Sequence, residues 1–72
     1  MILEIEEAVL KRIGKQINIS YLNIEFLTNP QIITIKYSID GNKKQLRIEG
    51  ELSRGTDQDR IKFLSRLICN QI

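Results

Sequence analysis

Residues 32–49 constrain this chain more than any other stretch. Ile33, Ile35, Tyr37 and Ile39 alternate with Thr34, Lys36 and Ser38, the period of two that marks a strand with one buried face. Asp40-Gly41-Asn42 follows, and Asp-Gly tolerates the positive φ values of a two-residue type I′ turn. Residues 32–49 are therefore predicted to form a β-hairpin. With Asp40-Gly41 at the turn, Ile39 faces Asn42, Tyr37 faces Lys44, Ile35 faces Leu46 and Ile33 faces Ile48. Turning at Gly41-Asn42 shifts the pairs but keeps the same faces together. A three-residue loop reverses the parity and expels Leu46 from the apolar face, so it is rejected.

The flanking segments supply what this hairpin needs to bury. Residues 2–17 read as an amphipathic helix, with Ile2, Ile5, Val9, Leu10, Ile13 and Ile17 in one stripe. Glu4, Glu6 and Glu7 come early and Lys11, Arg12 and Lys15 late, which complements the helix dipole. Gly14 and Asn18 are both candidate stops; Asn18 is preferred because Ile17 continues the stripe. Glu6 falls inside the stripe. Near a frayed start it reaches water, and deeper in the fold it is a carboxylate held at an interface.

Residues 20–27 read as a strand, with Leu22, Ile24 and Phe26 on one face. Thr28-Asn29-Pro30-Gln31 is the expected turn. Pairing Leu27 with Ile32 sets Phe26 opposite Ile33, Ile24 opposite Ile35 and Leu22 opposite Tyr37. The third strand is expected over 43–52, because Leu52 keeps the parity of Leu46 and Ile48. Gly50 marks a bulge or a close approach of a helix. Ser53-Arg54-Gly55 reads as a loop. Thr56-Asp57-Gln58-Asp59 then resembles a capping box, and Ile61, Leu64, Leu67, Ile68 and Ile72, widened by Phe63, form a second helical stripe.

One arrangement buries all three apolar surfaces. It is an α+β two-layer sandwich in which a three-stranded antiparallel meander carries its N- and C-terminal helices on one face. The 72 residues make a single α-β-β-β-α domain near the lower size limit for a self-sufficient core, with stability on the order of 4–10 kcal/mol. One cysteine and no histidine leave neither a disulfide nor a Cys/His zinc set to staple it. A second copy of the chain is the alternative source of buried surface, so a homodimer is expected.

The composition argues against chemistry. Without histidine the commonest general base and metal ligand is missing. Cys69 lies in the last turn of the second helix, where the dipole opposes a thiolate. Asp57 and Asp59 read as dipole complements and caps, with no third ligand near for a metal. No phosphate-cradling glycine motif occurs. The expectation is a non-enzymatic chain with no cofactor, no metal and no small-molecule substrate. No twenty-residue apolar run appears, and the expected address is cytoplasmic, without a membrane partner.

The order helix–strand–strand–strand–helix is similar to that of the double-stranded-RNA-binding domain across the whole chain. That family meets phosphates with lysines at the start of its second helix. Here the position reads Thr56-Asp57-Gln58-Asp59, and its loop between strands one and two keeps only Pro30. No residue role is carried over. A basic surface on the hairpin, from Lys36, Lys43, Lys44, Arg47 and Arg54 with Tyr21 for stacking, is the nucleic-acid alternative. The leading expectation is a homodimeric interaction module that binds an unidentified protein. Small accessory regulators or inhibitors, including those of viruses and mobile elements, work this way. The contacts expected are Tyr21, Leu27 and Ile32, rimmed by Lys36 and Arg47.

Overall fold

A computed structural model describes residues 1–50 and 55–72. The element order is α1 (Ile2–Ile13), β1 (Ile17–Glu25), β2 (Ile32–Ile39), β3 (Asn42–Glu49) and α2 (Asp57–Gln71). The strands form one antiparallel sheet in the order β1-β2-β3, the expected α+β meander. One face of the sheet and the two helices share a single core. It comprises Ile5 and Val9 of α1, Ile17 of β1, Ile33, Ile35, Tyr37 and Ile39 of β2, and Ile61, Leu64 and Ile68 of α2. The central strand contributes most because it has neighbours on both sides and helices above.

The β2–β3 hairpin has the predicted register throughout. Asp40 at φ 52 and Gly41 at φ 78 make the turn, and pairing runs from Ile39↔Asn42 to Ile32↔Glu49 without a break. Glycine at the second position takes the positive φ without the Cβ penalty that other residues meet. Gly50 follows the strand and donates its N–H to the Gln31 carbonyl at 3.0 Å. Among the described residues nothing lies within contact of the space its Cβ would fill, so neither described helix approaches there. Leu52, the expected end of the third strand, and Arg54 of the following loop lie outside the described residues.

The first helix and first strand correct the expectation. Gly14 adopts the left-handed conformation at φ 70 and donates its N–H to the Leu10 carbonyl at 2.8 Å, ending α1. Ile17 therefore belongs to β1, where it pairs with Ile39 and is 1% exposed. An isoleucine in phase with the helical stripe reached the same core as a strand residue. At the other end β1 stops at Glu25, and residues 26–31 form the loop, with the Asn29–Pro30 peptide cis. Ile24, not Phe26, faces Ile33, and Leu22 faces Ile35. This two-residue slip preserves side-chain parity, so the alternating pattern cannot exclude it.

Parity then changes once, at Ser20. Ile19 pairs with Tyr37 and Tyr21 with Lys36, leaving Ser20 as the extra residue of a β-bulge. Its hydroxyl donates to the Lys36 carbonyl at 3.2 Å. The bulge returns Ile19 and Ile17 to the side of Leu22 and Ile24. Inner rows Ile17–Ile39–Asn42, Ile19–Tyr37–Lys44, Leu22–Ile35–Leu46 and Ile24–Ile33–Ile48 result. Glu6 fixes the same point from α1, its carboxylate accepting the Ile19 N–H at 2.8 Å in a part-buried bond. The interior alternative for Glu6 is the one realised.

The helix stripes are narrower than expected. Ile5 and Val9 are buried and Ala8 and Ile13 pack against the core, while Ile2 and Leu10 stand exposed. In α2, Ile61, Leu64, Ser65 and Ile68 are buried, and Phe63 and Ile72 are exposed. The predicted capping box is present. The Thr56 hydroxyl accepts the Asp59 N–H at 3.3 Å, and the Asp59 carboxylate accepts the Thr56 N–H at 2.9 Å. The backbone and side chain of Thr56 hold the Asp59 carboxyl below the usual carboxylate range.

Candidate functional site

The outer face of the sheet, opposite the helices, holds most of the residues expected to make contacts. Strand register sets it in four rows: Asn18–Ser38–Lys43, Tyr21–Lys36–Gln45, Asn23–Thr34–Arg47 and Glu25–Ile32–Glu49. Tyr21 reaches this face by alternation with Leu22, and the bulge resets the parity only beyond it, at Ile19 and Ile17. Tyr21 is 45% exposed, and the Lys36 ammonium stands 5.3 Å from its ring centroid, a cation–π contact between the two side chains. Ile32 is half-buried between Glu25 and Glu49.

The register also distributes charge. Lys43 and Lys36 lie in the two rows nearest the hairpin turn, Arg47 in the third, and Glu25 and Glu49 in the row farthest from it. Lys44 shares its row with Ile19 and Tyr37 and so has the parity of the helix side, separate from Lys36, Lys43 and Arg47. Lys15 pairs with Asp40 at 3.5 Å across the turn end, an exposed contact of small energetic weight. Arg54, the remaining basic candidate, lies outside the described residues.

Tyr21 and Ile32 share the face but not a contact row, since Asn23–Thr34 lies between them. Leu27 leaves the sheet altogether and is fully exposed in the loop, beside Phe26 at 49% exposure. Phe26 is the exposed apolar residue that pattern reading missed, because strand alternation assigned it to the core. Only the loop length separates the two outcomes. Thr28 closes the start of this loop by donating its hydroxyl to the Glu25 carbonyl at 3.1 Å.

The helix layer carries a second set of exposed apolar side chains, Leu3 and Leu10 on α1 and Phe63 on α2. Between the helices, Ala8 and Ser65 floor a shallow groove bordered by Lys11, Arg12, Lys62 and Arg66. The Ser65 hydroxyl is turned inward to the Lys62 carbonyl at 3.0 Å. Cys69 is half-buried against the core, where it packs as a small apolar residue.

Among the described residues no three His, Cys, Asp or Glu side chains come together in a metal-binding group. No helix among them is long and apolar enough to cross a membrane. The chain matches no family model, no curated protein and no solved structure.

Proposed function

We propose that this chain is a non-catalytic interaction module that works as a homodimer and binds a macromolecular partner through its outer sheet face. Small accessory and regulatory proteins, including those of viruses and mobile elements, act in this way. The observation that carries the reading is the composition of that face. Tyr21, in contact with Lys36, and Ile32 supply apolar area, Phe26 and Leu27 extend it from the adjoining loop, and Lys36, Arg47, Glu25 and Glu49 rim it. Aromatic anchors within a charged rim are the usual anatomy of a protein-binding surface. Its cytoplasmic setting is part of the same proposal.

The test compares wild type with Ile32→Lys and Tyr21→Ala in affinity capture from host lysate. Lysine at position 32 falls between Glu25 and Glu49, so the domain stays folded, with a stability change within about 1 kcal/mol. Both variants lose the captured protein if this face is used. Equal capture by all three, or unfolding of Ile32→Lys at working temperature, counts against the reading.

A second reading, nucleic-acid binding, draws support from Lys36, Lys43 and Arg47 on one face with an exposed tyrosine ring available for stacking. Fluorescence anisotropy with labelled double-stranded RNA, double-stranded DNA and single strands at two salt concentrations separates the two. Saturable binding that weakens steeply with salt favours this second reading. No binding into the tens of micromolar favours the protein partner.

A further inference from the structure

The sheet has two edges, and among the described residues only one of them is interrupted. Along β1 the ladder is interrupted at Ser20, and Glu6 accepts the Ile19 N–H. A bulge and a covering side chain are two of the devices by which proteins stop an edge from pairing. β3 has neither: it runs eight residues, Asn42–Glu49, without a register shift. Among the described residues, no hydrogen bond closes its outward side. The two-residue turn makes Ile39 and Asn42 a hydrogen-bonded pair, and such pairs recur at every second position. The backbone groups of Lys43, Gln45, Arg47 and Glu49 therefore point away from β2.

We infer that β3 pairs antiparallel with β3 of a second copy, centred on Leu46, to give a continuous six-stranded sheet. The inference rests on the homodimer reading above and names its surface. Charge and overlap together select the register. A two-fold axis perpendicular to the sheet keeps both pairs of helices on one side and places some residue opposite its own copy. Centring on Lys44 or Arg47 opposes like charges at the axis, and centring on Gln45 opposes Lys43 to Arg47 twice. Centring on Ile48 sets Arg47 opposite Glu49, but within β3 it joins only those two of the four outward-facing residues. Centring on Leu46 sets Lys43 opposite Glu49 of the second copy, Gln45 opposite Arg47, Lys44 opposite Ile48 and Leu46 opposite itself. No like charges meet, and two opposite-charge pairs form. The four residues with outward backbone groups face one another, which allows roughly eight backbone hydrogen bonds. The half-buried Leu46 and Ile48 extend the apolar side of the sheet across the axis.

Sedimentation equilibrium across a concentration series tests this, with circular dichroism to verify folding. Wild type forms a dimer. Gln45→Pro removes an N–H that β2 does not use and leaves a folded monomer. Lys43→Glu and Glu49→Lys each place like charges opposite one another and raise the dimer Kd about tenfold or more. The double exchange of Lys43→Glu with Glu49→Lys restores it. This rescue supports the proposal even if Gln45→Pro does not fold. A wild type that stays monomeric at millimolar concentration overturns both the edge and the homodimer reading. A dimer indifferent to all three single variants overturns the edge alone and moves the contact elsewhere. Charge variants that weaken the dimer without rescue by the double exchange overturn the register.

Discussion

β2 is paired antiparallel on both sides, but its two ladders are built differently. On the β3 side a two-residue turn joins the strands, and every pair keeps step from Ile39↔Asn42 to Ile32↔Glu49. On the β1 side the six residues 26–31 join them, and the ladder shifts at Ser20. A tight turn permits few registers, and in this hairpin Asp40-Gly41 selects one of them. A longer loop leaves the register to packing, and side-chain parity tolerates any slip of two residues. The β1 ladder consequently depends on a contact from outside the sheet, the Glu6 carboxylate on the Ile19 N–H.

The most damaging change removes the residue both ladders share. Ile35, fully buried between Leu22 and Leu46, becomes an unpaired buried carboxylate in Ile35→Asp. The loss exceeds about 4 kcal/mol, comparable with the whole stability of so small a domain. Circular dichroism of the variant shows an unfolded chain; a soluble, cooperatively melting Ile35→Asp protein would refute the face assignment. The ladders part company in the next experiment. One glycine inserted after Gly41 breaks the turn and its parity, costing about 2 kcal/mol or more. The same insertion after Leu27 costs less than about 0.5 kcal/mol. Equal losses in denaturant titrations would remove the distinction between the two connections.

Glu6→Ala sharpens the comparison further. It leaves the Ile19 N–H part-buried without its acceptor, for a loss of about 1–3 kcal/mol. Hydrogen exchange locates the effect: amides of β1 near the bulge lose protection before those of β3, and uniform loss contradicts the assignment. The smallest effects lie outside both ladders, at the α2 cap. Thr56→Ala costs about 1 kcal/mol, read from the shift in denaturation midpoint. Asp59 has a folded-state pKa below its unfolded value near about 3.9, so its contribution is present above that pH. It is lost as pH falls from about 4 through the folded-state value. An acid titration of Asp59→Asn lacks this component of the decline. Burial raises the Tyr37 pKa, with the opposite sign: its contribution is intact below about pH 10 and declines as pH rises further.

Reading from sequence succeeded where the physics is local. The type I′ turn, the β2–β3 register and the Thr56/Asp59 capping box each depend on residues a few positions apart, and each is present. The end of α1 was misread because Ile17 suits a helical stripe and a strand equally well, and Gly14 decides between them only once the left-handed cap forms. Phe26 was misplaced for a related reason: six loop residues and four are equally consistent with alternation. On the proposed contact surface, Tyr21, Ile32, Lys36 and Arg47 were legible as outward-facing, whereas the exposure of Phe26 beside Leu27 was not.

Periodicity and turn chemistry act over short distances, so the residue pattern alone dictates the order of elements, the buried face of β2 and the hairpin that organises the sheet. Long-range contact was needed to turn Glu6 inward and to make Ser20 the bulged residue. Each of these depends on which backbone groups remain unpaired once β1 docks on β2 and α1 closes over it. That quantity exists only when separate parts of the chain meet.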